Sequence, residues 1–159
     1  MISKLGNNAL MNRHRVAFFA PSTTESLSVM PALDWASEIA KRGDVTVCSG
    51  FQSPLEKLIL PYLLRGKCGI IVALNRGVYE KVPERYRAAF DDGRILFVSL
   101  LGEDVTLPSR AAGLRRNRYL ADLADKIVIP FHTSSTSLST IAAAHPSKST
   151  FLDDFGRDA

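Results

Sequence analysis

Cysteine is scarce in this chain. Cys48 and Cys68 are the only two, and they form no C-x-x-C pair. A disulfide framework is therefore excluded, and Cys48, inside an apolar run, reads as a small buried hydrophobe. The three histidines, His14, His132 and His145, fall at no ligand spacing, so no metal site is expected. No G-x-G-x-x-G and no Walker sequence occurs, which removes the main support for ordinary dinucleotide binding and for P-loop hydrolysis. No cofactor is expected. No apolar run reaches the ~20 residues that a membrane-spanning helix needs, and the opening MISKLGNNALMNRH lacks the apolar centre of a secretion signal. A soluble protein of the reducing cytoplasm is the expectation.

The 159 residues suit one domain, and 46% of them are apolar, enough for a true core. The net charge is +4. At that mild excess the placement of charge matters more than its sum. RVAFFA (15–20) is a short apolar run closed by Pro21 and a polar cluster, the pattern of a buried strand. VTVCS (45–49), GIIVAL (69–74), RILFVS (94–99) and KIVIPF (126–131) repeat that pattern, and STFL (149–152) is a candidate sixth strand. Between them, helical spacing predicts helices near 31–42, 54–66, 82–92, 114–124 and 136–144. Pro61 predicts a kink or a split in the second. Continuous apolar strands alternating with helices imply a mostly parallel sheet covered on both faces. Residues 1–13 form an expected N-terminal extension and 153–159 a C-terminal tail, both loose.

In open sheets of this kind, ligands bind beyond the carboxyl ends of the strands. Three loops there carry suitable chemistry. PSTTES after the first run offers Ser22. SGF after the second offers Ser49 and Gly50, where a glycine lets backbone approach a ligand, though a plain strand-to-helix turn needs the same residues. TSSTSLST (133–140) has seven hydroxyl residues in eight. Capping the next helix requires only one of them, so the surplus at Ser134, Ser135, Thr136 and Ser137 favours anion binding at a helix N-terminus.

LRRNRYLADLAD (114–125) is the most distinctive stretch. On a helix, Asn117, Leu120, Ala121 and Ala124 share one face, with Arg116 and Leu123 on its flanks. Arg118 and Asp122 are spaced i, i+4 on the outer side, where they can pair with each other. Arg116 and Asn117 extend the buried face toward the crevice edge, and an arginine fork there suits a phosphate. Arg110 and Arg115 add charge nearby. A solvated basic face would carry the same residues.

With these segments placed, the chain resembles the Rossmann-like module of the DNA-processing protein DprA (Smf) family, within the SLOG superfamily. The resemblance runs from about residue 14 to 152. RVAFFAPST resembles that family's first strand and turn, but Pro21, Ser22 and Thr23 stand where it has a glycine-serine-arginine turn. VTVCSGFQSPLEKLI resembles its strand, Ser-Gly and helix, with Leu55 and Glu56 in place of an Ile-Asp pair. LRRNRYLADLAD resembles its Arg-Asn-Arg helix, so Arg116, Asn117 and Arg118 carry over. Ser135, Thr136, Ser137 and Leu138 take the place of its Ser-Gly-Ser-Leu turn. The resemblance implies a Rossmann-like three-layer α/β sandwich over 14–152. It implies single-stranded DNA as the ligand, a RecA-type recombinase as a partner, homodimerisation, and a role in recombination and natural transformation. It implies no enzymatic activity through these motifs. Two other readings stay open: a binder or sensor of a small nucleotide-derived ligand, and a nucleoside-monophosphate phosphoribohydrolase. The stretch from Pro130 lacks the glycines and the glutamate of the latter's motif.

Overall fold

The computed structural model describes residues 2–23, 25–100, 110–132 and 136–153, with Thr136 described in its backbone only. Its strands are β1 (Ser3–Gly6), β2 (His14–Phe18), β3 (Val45–Ser49), β4 (Gly69–Leu74), β5 (Ile95–Ser99), β6 (Lys126–Ile129) and β7 (Ser149–Phe151). Its helices are α1 (Val29–Ile39), α2 (Pro54–Leu64), α3 (Glu84–Asp91), α4 (Arg110–Leu123) and α5 (Thr136–Ala144). One sheet runs in the order β1-β5-β4-β3-β2-β6-β7. Every neighbouring pair is parallel except β1 with β5.

The strands are buried on both faces, which is why they lack apolar-polar alternation. Along β2, Val16 and Phe18 enter one core with Ala32 and Ala36 of α1, Leu55 and Ile59 of α2, and Tyr86 of α3. Ala17 and its neighbour Phe19 enter the opposite core with Leu120 and Ala121 of α4 and Leu138 and Ile141 of α5. The result is a three-layer α/β sandwich of Rossmann type with a mostly parallel sheet. Among the described residues, no helix is long and apolar enough to cross a membrane.

Two expectations need correction. Within the expected N-terminal extension, residues 3–13 are not loose. Ser3–Gly6 pairs antiparallel with β5 as an edge strand, and Leu10 is 0% exposed beneath the sheet. Four residues are too few to show a period in sequence, yet pairing with β5 satisfies their backbone and covers an open edge. Pro61 does not split its helix: α2 runs without interruption from Pro54 to Leu64. Pro61 lies on the exposed side of α2, where the carbonyl its ring leaves unpaired can meet water.

Candidate functional site

Strands β3 and β6 flank β2 and run parallel to it, so the segments that follow Phe18, Ser49 and Ile129 leave the sheet at one edge. The chain order reverses here: from β2, one direction leads to β3, β4 and β5, and the other to β6 and β7. This is the topological switch point, where an open α/β sheet leaves a crevice. A crevice of about 810 Å³ occupies the place, walled by Ala20–Thr23, Gln52, Ser53 and Glu56 on one side. Arg110, Gly113, Leu114, Arg116 and Asn117 of α4, with Ser137 and Leu138 of α5, form the other side.

Arg116 is the dominant cation of this crevice. It is only 7% exposed, because the phase of α4 turns it inward with Ala112, Leu120 and Ala121. Its Nε donates to Asn117 Oδ1 at 3.1 Å. Its two terminal nitrogens bond no described residue, and the residue lines the crevice. Gly50 provides the space it occupies: a Cβ on Gly50 would stand 2.5 Å from both Cζ and Nε of Arg116. Burial presses the proton affinity of the guanidinium down, and the charge of Glu56 opposes that shift. A guanidinium stays protonated in either circumstance.

Glu56 is the opposing anion and is only 4% exposed. It stands at the third position of α2, whose N-cap is Ser53. Its Oε2 accepts from Ala20 N at 3.0 Å. Its Oε1 accepts from Gln52 N at 3.0 Å and from Ser53 N at 3.4 Å. The carboxylate thereby ties the turn after β2 to the turn after β3. The S-x-x-E spacing of a capping box was the available sequence signal for the bond to Ser53. The bond to Ala20 has no local signature.

The other candidate residues separate into groups. Ser22, Arg110, Arg116, Asn117 and Ser137 line the crevice together. Gly50 supports Arg116 from below. Ser49 does not line the crevice: it is fully buried, and its Oγ accepts from Phe51 N at 3.1 Å. That bond braces Phe51, whose φ of 52° lies in the left-handed region. A non-glycine residue there carries strain of roughly 1–2 kcal/mol, offset by the burial of the Phe51 ring in the core. Arg118 faces elsewhere. It lines a second groove of about 460 Å³ between α4 and α5, with Asp122, Ile141 and His145, where Asp122 Oδ1 lies 3.4 Å from His145 Nε2. Ser134 and Ser135 lie outside the described residues, as does Thr133, and Thr136 begins α5. Aromatic residues contribute nothing to the described crevice lining. Phe51 and Phe131 are core residues, and Tyr119 packs half-buried against the α4 side of the sheet.

The arrangement can hold an anion at a buried, pre-positioned arginine fork. No trio of His, Cys, Asp and Glu able to hold a metal ion exists among the described residues. No family model matches the chain, and no curated protein matches it in sequence. Among solved structures, it is similar to DNA processing protein A from Helicobacter pylori, with a TM-score of 0.74 and 18% identity over 94% of this chain and 70% of that one. It is also similar to DNA processing protein A from Streptococcus pneumoniae, with a TM-score of 0.69 and 16% identity over 90% of this chain and 50% of that one. At these identities the likeness is one of fold, and the chain carries the Rossmann-like fold of the DprA proteins over most of its length.

Proposed function

We propose that this chain is a DprA-like nucleic-acid-binding module that takes single-stranded DNA by its phosphates in the switch-point crevice. The observation that carries the reading is Arg116: a buried arginine that lines the crevice, oriented by Asn117 and seated over Gly50, with its terminal nitrogens bonded to no described residue. The Helicobacter pylori neighbour, described as having a unique single-stranded DNA binding mode, supplies the class of ligand. On this reading Ser22, Arg110 and Ser137 are secondary contacts, as are Ser134, Ser135 and Thr136 of the hydroxyl-rich turn. The chain binds without catalysing a reaction. The family resemblance extends the proposal to a cytoplasmic role in recombination and natural transformation, with a RecA-type recombinase and a second copy of this chain as partners.

A second reading, the SLOG-type binding of a small nucleotide-derived ligand, is favoured by the size of the crevice. About 810 Å³ falls within the range of small-molecule pockets, and among the described residues no aromatic platform for stacked bases lines it.

The test is a fluorescence titration of a labelled oligonucleotide over a salt series. Charge-assisted contacts contribute on the order of 1.5–3 kcal/mol, so Arg116→Ala is expected to weaken binding roughly ten- to a hundredfold. Loss of one phosphate contact on a single strand should lower the log–log salt slope by about 0.7. Arg118→Ala should cost much less, because its side chain lies in the α4/α5 groove. Equal losses for the two variants would reduce the basic stretch to a diffuse solvated patch. Absence of oligonucleotide binding, alongside stabilisation by a mononucleotide, would select the second reading.

A further inference from the structure

Glu56 sits where an anion would be expected to bind. Its carboxylate accepts from Ala20 N, Gln52 N and Ser53 N. These N–H groups converge from the turn after β2 and from the approach to α2. Backbone donors gathered at a helix N-terminus and a strand end form the sort of concavity that otherwise captures a phosphate. Here the anion belongs to the chain itself. A carboxylate offers about four lone-pair positions, and three donors already converge on this one.

The second observation is the balance of buried charge. Glu56 and Arg116 line the same crevice, and among the described residues they are its two charged residues with less than a tenth of their surface exposed. Their charges sum to zero. The charge of Glu56 favours the charged form of Arg116. Arg110 also lines the crevice but is exposed, so solvent and salt screen it.

We propose that Glu56 occupies the crevice's backbone amide site as a built-in anion, and so restricts the crevice to phosphodiesters by rejecting the more highly charged phosphate of a free nucleotide. The inference rests on the reading of Arg116 as the phosphate contact and names the class of phosphate accepted there. An internal phosphodiester carries one negative charge, whereas a phosphomonoester carries about −1.5 to −2 near neutral pH. Arg116 compensates the first charge. The additional charge finds these amide donors taken and the like charge of Glu56 lining the same crevice, which repels it. Internal phosphates of a strand are therefore accepted, and terminal phosphates and mononucleotides are disfavoured.

The experiment compares thymidine 5′-monophosphate with its monomethyl ester as competitors, using the wild-type chain. The two share one nucleoside and differ by the ionisable oxygen. The ester is expected to bind about tenfold more tightly, equivalent to about 1.4 kcal/mol. Glu56→Gln removes the charge with little change of shape and should reduce that preference to about threefold or less. Equal affinities, tighter binding of the monophosphate, binding of neither ligand, or an undiminished preference in Glu56→Gln would each overturn the inference. If Glu56→Gln does not fold, the wild-type ligand pair decides alone. A labelled oligonucleotide, titrated separately, keeps the two ideas distinct. Oligonucleotide binding without an ester preference defeats the inference and leaves the DNA reading standing, whereas an ester preference without oligonucleotide binding defeats the DNA reading alone.

Discussion

Gly50 lies directly beneath Arg116, so close that a Cβ at position 50 would stand 2.5 Å from the guanidinium carbon. The turn after β3 and the inward face of α4 thus meet at a place only a glycine can occupy without displacement. Gly50→Ala must either push the arginine fork toward solvent or move the β3 turn. Because the atoms met are the far end of a flexible side chain, the expected results are little loss of stability and a fall in oligonucleotide affinity of about tenfold. Gly43→Ala is the control, because nothing lies within 4 Å of a Cβ there. Thermal melts and titrations of both variants check this. Wild-type affinity in Gly50→Ala would show that this contact does not position Arg116.

The N-terminal segment supports the sheet from below. Leu10 is completely buried with Phe19, Cys48 and Ile71, and its carbonyl accepts from Thr46 Oγ1 at 2.8 Å. Leu10→Ala should cost about 2–5 kcal/mol, the range for deleting a buried leucine side chain. Urea unfolding followed by circular dichroism measures it. A change below about 1 kcal/mol would mean that residues 3–12 detach from the domain without consequence.

Asp125 connects the end of α4 to β2 at the edge of the sheet opposite the crevice. Its Oδ2 accepts from Arg15 N at 2.9 Å, and the Arg15 guanidinium lies beside it, with Nε at 3.4 Å. The backbone bond first, and then the guanidinium, hold the carboxyl below its ordinary value of 3.8. A depressed folded-state value contributes stability that is present above 3.8 and is lost as the pH falls through the folded-state value. The side chain is 41% exposed, so screening limits the contribution to at most about 1 kcal/mol. Asp125→Asn should therefore lower the urea midpoint at pH 6 and leave a smaller difference from wild type near pH 3. A constant difference across that range would show that the charge is not the cause.

Much of the architecture is legible in the sequence. VTVCS and GIIVAL match β3 and β4 residue for residue. Parallel strands buried on both faces leave a mark in contiguous residues, and continuous apolar runs are that mark. The phase of α4 could likewise be read locally. A 3.6-residue period separates Arg116 from Arg118, and the structure places the first in the crevice and the second in the α4/α5 groove.

Position along the chain could not decide what meets across the fold. The Ala20–Glu56 bond spans 36 residues, and the two belong to segments that approach only because β2 and β3 are neighbours in the sheet. Gly50 and Arg116 meet only because α4 packs back over β3. Ser49 reads as a site residue because it ends a strand at the correct edge, and only the structure shows it fully buried, with its Oγ accepting from Phe51 N. Residues 3–6 became a strand because β5 had an unpaired edge beside them. Strand and helix periods are local properties of the backbone and are written in neighbouring residues. The partners of a buried charge are set by chain closure, and only the tertiary structure decided them.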